Sequence, residues 1–216
     1  MVGDMEFLND LQWLLIEVQD GGVTWGSGLW TAEEVLASVN RVQSEFLRRT
    51  EIDASWAILS VTAGVGDVTV PQDYILTSEA IFAATSAAVP TSTPLARSDE
   101  WELDRALITW EETPAAPLVY GDGISDDLLQ LTLGPTPSVD GILYLLYVAC
   151  GEEILNDGTS EFTVPDEAVV TIMWGVLADL LDKVGRGEDM SRAQYCHSRF
   201  EEGILVWTLS LQGVLG

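Results

Sequence analysis

The spacing of the apolar residues changes twice along the chain, and this change limits the fold more than any single motif does. Residues 4–18 and 32–50 place apolar side chains at the three- and four-residue intervals that are typical of a helix. Residues 56–149 instead hold short β-prone runs that Gly and Pro interrupt. The helical interval returns at Val164. The predicted order is therefore helix, helix, strands, helix, helix.

Three of the predicted helices have recognisable start signals. Thr31 and Glu34 have the spacing of a capping box, in which each side chain binds the backbone N–H of the other residue. Pro165 is expected to open the third helix. The fourth is expected to start at a Ser191 cap and to reach about Ser210. Only a short glycine-containing break separates the last two helices, so they are predicted to form an antiparallel hairpin.

Five β-prone runs occupy the middle of the chain. They are residues 56–63, 67–70, 79–85, 128–133 and 142–149. The last two runs flank the sequence GPTPSVDG, whose prolines and glycines favour a turn, so these two runs are predicted to form a hairpin with a long loop. Residues 98–110 are predicted to begin with a turn of helix.

The predicted fold class is α+β, because strands lie in the middle of the chain and helices at both ends. The N- and C-terminal helices are expected to form an antiparallel bundle, with an antiparallel β-rich domain inserted in it. The expected segments are an N-terminal helix with a Gly-rich hinge (1–30), the bundle (31–55 with 162–216) and the insertion (56–161). The hinge would let the first helix dock on a neighbour, so residues 1–30 are expected to pack partly against another copy.

The charge of the chain is strongly unbalanced. Thirty-five Asp and Glu residues stand against nine basic residues, which gives a formal net charge of −26. Such a surface repels nucleic acid and anionic lipid, because the binding of phosphates requires Lys and Arg. Two interpretations remain open, namely solubility or adaptation to a saline medium, and the wall of a channel that DNA passes without sticking. The candidate acids for a channel wall are Asp122, Asp126, Asp127, Glu188 and Asp189.

Three features of the sequence predict the cellular compartment of the protein: its hydropathy, its N-terminus and its cysteines. No run of 18 or more apolar residues occurs, so we predict no membrane span and no membrane partner. The first ten residues are acidic and lack a basic leader, so no secretion signal is expected. Cys150 and Cys196 provide no disulfide framework and suit synthesis in a reducing cytosol.

Residues 192–203 hold the single histidine beside a cysteine, which raises the question of a thiol or metal site. Neighbouring residues of a helix do not face each other, so Cys196 is predicted to be a core residue and His197 a surface residue. No second histidine completes a metal site. Residues 122–127 lack the spacing and the final Glu of a calcium loop. We therefore predict no catalytic residue, no cofactor and no metal.

Eight tryptophans are unusual for a chain of this length, and they have two interpretations. Trp25, Trp30 and Trp110 stand in Gly-rich or loop contexts, where they are either anchors of an interface or ordinary core residues. Trp174 and Trp207 are expected to fill the core.

Several sequences of the C-terminal half occur together in a fixed order. They are ELDRALITWEETPAAPLVY (102–120), LQLTLGPTPSVDGILYLLYV (129–148) and the stretch 162–203, which contains VPDE, WGVLADLL and RAQYCHSRFEEG. With these sequences in this order, the chain resembles the adaptor, or head-to-tail connector, proteins of tailed bacteriophages. Residues 32–50 are similar to the first bundle helix of the same proteins.

The resemblance implies a structural virion protein without enzymatic activity. Such adaptors form a ring, usually with the portal's twelve-fold symmetry, beneath the portal vertex and contribute a segment of the DNA channel. The implied partners are other copies of the chain in a homo-oligomeric ring, expected to be a dodecamer, the portal protein, and a nozzle, tail-tube, fibre or stopper protein. DNA would pass the lumen without specific binding. The implied location is the head–tail interface of the virion, after synthesis in the host cytoplasm.

Two other functions remain open at this point. One is another neck or tail-completion protein of the same assembly, which contacts a different partner. The other is an acidic soluble enzyme or binding domain whose similarity to the adaptors is accidental. The mass in solution separates a protein that forms rings from a monomeric enzyme.

Overall fold

The computed structural model describes residues 2–85, 92–106, 109–122, 129–185 and 187–214. The contacts within the chain divide it into two compact units. Residues 1–53 and 150–216 form the first, which we call the helical unit, and residues 54–149 form the second, which we call the β unit. Helices at both ends and strands in the middle confirm the predicted α+β class.

The helical unit contains four helices. They are α1 (Asp4–Leu14), α2 (Ala32–Thr50), α4 (Asp166–Leu181) and α5 (Met190–Val214). The β unit contains one short helix, α3 (Glu100–Ala106), and eight strands. The strands are β1 (Ala54–Val61), β2 (Asp67–Thr69), β3 (Tyr74–Ala84), β4 (Ser92–Pro94), β5 (Ala96–Arg97), β6 (Val119–Asp122), β7 (Gln130–Gly134) and β8 (Gly141–Ala149). None of the helices in the described part of the chain is long and apolar enough to span a membrane.

The second helix begins as its capping box predicts. The backbone N–H of Glu34 donates to the Thr31 hydroxyl over 3.2 Å, and the backbone N–H of Thr31 donates to the Glu34 carboxylate over 2.9 Å. Both donors would otherwise have no partner in the first turn. The helix ends where Glu51 turns into the left-handed region with a φ of 54°.

Replacing Thr31 with alanine is expected to lower the free energy of unfolding by about 1 kcal/mol, because one N–H at the helix start loses its acceptor. Urea unfolding followed by circular dichroism measures the change. Serine at position 31 keeps the hydroxyl and should retain most of the stability. Equal losses in the alanine and serine variants would contradict a role for the cap.

The first helix is shorter than the predicted range 4–18. It ends at Leu14, and Ile16 has a φ of 61°, a conformation that a right-handed helix cannot contain. Val18 is therefore exposed and does not continue the apolar stripe. The prediction missed this end because the apolar spacing continues past the point at which the backbone turns.

A glutamine of the first helix holds the Gly-rich link that follows it. The Gln12 side-chain oxygen accepts the backbone N–H groups of Asp20 and Gly22, and its amide nitrogen donates to the Asp20 carboxylate and to the Thr24 carbonyl. Gly22 has a φ of 82°, and a Cβ there would lie 2.8 Å from the Leu8 side chain. Hydrogen bonds from Thr24 lower the pKa of Asp20 to about 2. The link is thus tied to the helix before it.

The apolar stripe of the first helix is buried within the chain. Leu8 and Leu11 are buried, and the ring centroid of Phe7 lies 4.8 Å from that of Phe162. The stripe is therefore not available to another copy of the chain. The expected contact between residues 1–30 and another copy stays a prediction, and it would use exposed side chains such as Trp13.

The β unit consists of two four-stranded sheets. Their strand orders are β1-β8-β3-β4 and β2-β7-β6-β5. Strands β1 and β8 are antiparallel and begin their register with Ala54 opposite Val148. The two sheets enclose one hydrophobic core, to which both contribute. The largest fully buried side chains of that core are Leu131, Leu133, Leu143 and Leu145.

The predicted hairpin between residues 128–133 and 142–149 is wrong. Strand β7 pairs with β2 and β6, whereas β8 pairs with β1 and β3 in the other sheet. The intervening residues do not close a turn between the strands, because their backbone binds another segment. The N–H of Thr136 donates to the Trp110 carbonyl, and the N–H of Ser138 donates to the Ala115 carbonyl. The connection therefore carries the chain from one sheet to the other.

The last two helices pack closely against each other. A Cβ at Gly203 of α5 would lie 2.4 Å from Thr171 of α4, so the absence of a side chain permits this approach. The predicted Ser191 cap is wrong, because the Asp189 carboxylate accepts the N–H of Arg192 over 3.1 Å and Met190 is the first helical residue. Ser and Asp are both good caps, and the spacing alone did not separate them.

Candidate interaction surfaces

The cysteine and histidine of residues 192–203 lie on different sides of α5. Cys196 is 4% exposed, and burial raises the pKa of its thiol. The His197 side chain is 66% exposed, and its Nε2 lies 3.9 Å from a carboxylate oxygen of Glu201, one turn further along the helix. The predictions of a core cysteine and a surface histidine are both confirmed.

Neither side chain belongs to a metal-binding group. Within the described residues, no three His, Cys, Asp or Glu side chains are grouped so that they could hold a metal ion. Residues 123–128, which include most of the acidic run considered as a calcium loop, lie outside the described residues.

The five acids proposed for a channel wall have different surroundings. Asp122 accepts the Tyr74 hydroxyl over 2.6 Å and pairs with Arg97 over 3.3 Å, so its charge is engaged within the β unit. Burial and this hydrogen bond raise the pKa of Tyr74. Asp189 caps α5, and Glu188 is exposed. Asp126 and Asp127 lie outside the described residues.

Two of the tryptophans considered as interface anchors are core residues. Trp30 is buried, and its Nε1 donates to the Leu180 carbonyl over 2.9 Å. Trp110 is also buried, and its Nε1 donates to Asp104 over 3.0 Å. The anchor interpretation is therefore wrong for both. Trp25 is half-buried, and its Nε1 donates to a backbone carbonyl.

The exposed tryptophans are ones that the sequence did not single out. They are Trp13, Trp56 and Trp101. The helical spacing contained a signal for Trp13, since it lies off the stripe of Leu8, Leu11 and Leu15. Trp101 stacks beneath the Arg105 guanidinium at 4.9 Å from the ring centroid, which explains its exposure in part.

Trp174 and Trp207, predicted to fill the core, are only half-buried. They line a cleft of about 380 Å³ between α4 and α5, together with the apolar residues Val170 and Val206 and the charged residues Glu167, Arg199 and Glu202. Trp174 also packs edge-on against Tyr195, with 5.9 Å between ring centroids. We call this surface the aromatic flank. It consists of Val170, Trp174, Tyr195, Val206 and Trp207.

A second concave surface lies where α2, α4 and α5 meet. This groove has a volume of about 630 Å³, and we call it the α2–α5 groove. Its apolar lining residues are Val42, Gly175, Ala178, Met190, Ala193 and Phe200. Its charged lining residues are Arg41, Glu45, Asp179 and Asp182, and the His197 side chain also lines it. Arg41 forms an ion pair with Asp179, which also accepts the Ser38 hydroxyl over 2.7 Å.

A two-pronged ion pair joins α2 to α5 in this part of the helical unit. Arg49 donates to both carboxylate oxygens of Glu201 over 2.7 and 2.6 Å. Hydrogen bonding by Arg49 lowers the pKa of Glu201, and the same contact raises the pKa of Arg49. The paired geometry orients the two helices relative to each other.

The model of the family described as SU10 adaptor protein matches residues 6–206. The matched range extends over the helical unit and the β unit. No curated protein matches the chain.

Proposed function

Because the chain belongs to the SU10 adaptor protein family, which is a family of bacteriophage head-to-tail adaptors, we propose that it forms a ring between the portal and the tail. In this proposal the ring binds the portal protein on one side and a nozzle, tail-tube, fibre or stopper protein on the other. Its lumen is a segment of the DNA channel. The observation that carries the proposal is the family match over residues 6–206.

The surface features of the chain support a structural role. The helical unit presents the aromatic flank and, separately, the α2–α5 groove. A subunit of a ring needs two different contact surfaces. The cysteine and the histidine that suggested chemistry lie on different sides of α5, so they do not act together. A protein whose role is assembly depends on surfaces of this kind more than on a reaction centre.

The acid excess suits a wall that DNA slides past. Residues 54–149 carry 13 acidic and 2 basic residues, so the excess extends to the β unit as well as to the helices. Repulsion acts on phosphates only within a Debye length of about 8 Å at physiological salt. In the proposed ring, exposed acids such as Glu188 therefore affect passing DNA only where they face the lumen.

Two measurements test the proposal. The purified chain, mixed with the portal protein of its phage, is expected to form a ring-shaped complex with the portal's symmetry in electron micrographs. Duplex DNA at low salt is expected not to bind the chain in a mobility-shift assay, because phosphate binding requires clustered basic residues. A chain that binds a tail component and ignores the portal would indicate another neck or tail-completion protein. Micromolar affinity for DNA would contradict the acidic channel.

A further inference from the structure

Strand β1 is the outermost strand of its sheet. It pairs with β8 along all eight residues, from Ala54 opposite Val148 to Val61 opposite Gly141, and the register has no shift. No other strand in the described part of the chain pairs with its second side. Alternate residues of an antiparallel strand direct both their N–H and their C=O to the same side. Strand β1 therefore offers a row of backbone donors and acceptors to a further strand.

The other three edge strands, β2, β4 and β5, are short and protected. Strand β4 has three residues and ends at Pro94, which lacks an N–H. Strand β2 has three residues and begins with Asp67, and β5 has two residues and carries Arg97. Prolines, charges and short length protect edge strands against further pairing. The eight residues of β1, ASWAILSV, contain neither a charge nor a proline, so this edge is expected to be covered in an assembly.

The hydrophobic core of the β unit opens at the same edge. Ala57 and Leu59 pack against this core, but they are only half-buried. Leu143 and Leu145, their register partners on β8, are completely buried. A further strand beside β1 would cover Ala57 and Leu59 from the side that β8 leaves open. The occupant that completes the core is therefore an extended segment with apolar side chains on its inner face.

The outer face of the sheet is also apolar near this edge. Trp56 is 60% exposed and Ile58 is 70% exposed, and their register partners on β8 are Leu146 and Tyr144. Ile81 of β3 lies opposite Tyr144 on the other side of β8. We call this surface the β1 face. It consists of Trp56, Ile58, Ile81, Ile142, Tyr144 and Leu146. Contiguous apolar surface of this kind marks an interaction site.

Charge and symmetry decide which occupant suits the edge. A second copy would bring another charge of −26, and pairing of β1 with the β1 strand of that copy gives a two-fold contact that does not extend into a ring. The β unit itself carries 13 acidic and 2 basic residues. Asp140 is exposed and accepts the N–H of Ala63 over 2.8 Å, just beyond the end of β1. A different protein with basic residues beside an apolar segment therefore fits better than a second copy.

We propose that β1 receives an extended segment of a different protein of the head–tail assembly, which adds a fifth strand to the sheet. The inner side chains of this segment are apolar and cover Ala57 and Leu59, and its outer side chains extend the β1 face. A Lys or Arg at one end of the segment lies near Asp140. The backbone hydrogen bonds supply affinity, and the alternate side chains supply specificity. The source of the segment rests on the proposed function, whereas the open edge does not.

Amide hydrogen exchange, resolved to single residues, tests whether the edge becomes paired. In the chain alone, the β1 amides that pair with β8 are expected to exchange slowly and the alternate amides to exchange fast. The chain is then mixed in turn with the portal protein and with each tail protein of its phage. In one of these complexes the fast amides are expected to slow by about tenfold or more, because they gain acceptors. Alternate amides that stay fast in every complex would overturn the proposal, even if the β1 face were covered.

A matched pair of charge variants tests the contribution of the edge to binding. Ile58→Lys places a positive charge beside the proposed basic segment and is expected to weaken its binding by about tenfold or more. Leu118, which precedes β6 in the other sheet, is 55% exposed, so Leu118→Lys adds the same charge elsewhere and should leave binding unchanged. Trp56→Ser removes an apolar side chain of the β1 face without adding a charge, and it should also weaken binding. Urea unfolding confirms that each variant is folded. Equal binding of the Ile58 and Leu118 variants would contradict the contact.

The outcomes separate this inference from the proposed function. A ring that binds the portal and tail proteins while the alternate β1 amides stay fast overturns the added strand and leaves the adaptor role standing. Slowing of these amides in the chain alone, which increases with its concentration, would identify a second copy as the occupant and overturn the proposal. A chain that ignores the portal protein but binds a tail protein through β1 would overturn the proposed ring position and support the added strand.

Discussion

Replacing Trp30 with alanine is expected to lower the free energy of unfolding by about 4 kcal/mol, since it removes a large buried side chain and leaves a cavity. The indole is 4% exposed and donates its N–H to the Leu180 carbonyl over 2.9 Å. The contact joins the segment before α2 to the last turn of α4. Urea unfolding at a fixed protein concentration measures the loss, with tryptophan fluorescence and circular dichroism as independent signals.

Trp13 provides the control for this substitution. Its indole is 65% exposed on α1, so Trp13→Ala should change the free energy of unfolding by less than about 0.5 kcal/mol. Equal effects at the two positions would mean that Trp30 is not packed in the helical unit. An intact fold with lost self-association in Trp30→Ala would restore its interpretation as an interface anchor.

Replacing Gly175 with valine should destabilise the helical unit by about 3 kcal/mol, because the new side chain has no room. A Cβ at this position would lie 2.5 Å from the Val42 side chain and 3.0 Å from the Phe200 ring. Three helices meet at this point, so relief of the clash requires α2 or α5 to move away from α4. The unfolding midpoint in urea is the direct measurement.

The matched control is the same substitution at Gly213 in the last turn of α5. A Cβ there meets nothing within 4 Å, so Gly213→Val is expected to change the stability by less than about 0.5 kcal/mol. If Gly175→Val were as stable as Gly213→Val, the close packing of α2 and α4 would be contradicted.

The features that the sequence predicted correctly depend on residues that are close in the chain. The start of α2 is determined by Thr31 and Glu34, three residues apart, and the capping box needs nothing else. The burial of Cys196 follows in the same way from the apolar stripe of α5. Local spacing is sufficient for both.

The features that the sequence did not predict depend on contacts between segments that are distant in the chain. The run before GPTPSVDG and the run after it look like the two arms of a hairpin, yet each is a central strand with partners elsewhere in the chain. Trp30 stands in a Gly-rich link, yet it is buried and its indole donates to the Leu180 carbonyl, 150 positions away. Hydrophobic spacing contains no information about either partner.

The two interaction surfaces of the helical unit were partly visible in the sequence. The absence of charge in residues 203–214 is unusual in a chain with 35 acids, and it could have directed attention to the end of α5. The α2–α5 groove was not visible, since Val42, Gly175 and Phe200 come from three helices whose packing no local pattern specifies.

The pairing of Ala54 with Val148 has a consequence for the order in which the chain acquires its structure. Helices α2 and α4 are separated by the whole β unit, and closing a flexible loop of roughly a hundred residues costs about 4 kcal/mol of chain entropy. Once β1 and β8 are paired, the two ends of the β unit lie about 5 Å apart, as opposite residues of an antiparallel pair do. A β unit that forms first removes most of that entropy cost. The helices then associate almost as if they were consecutive in one short chain.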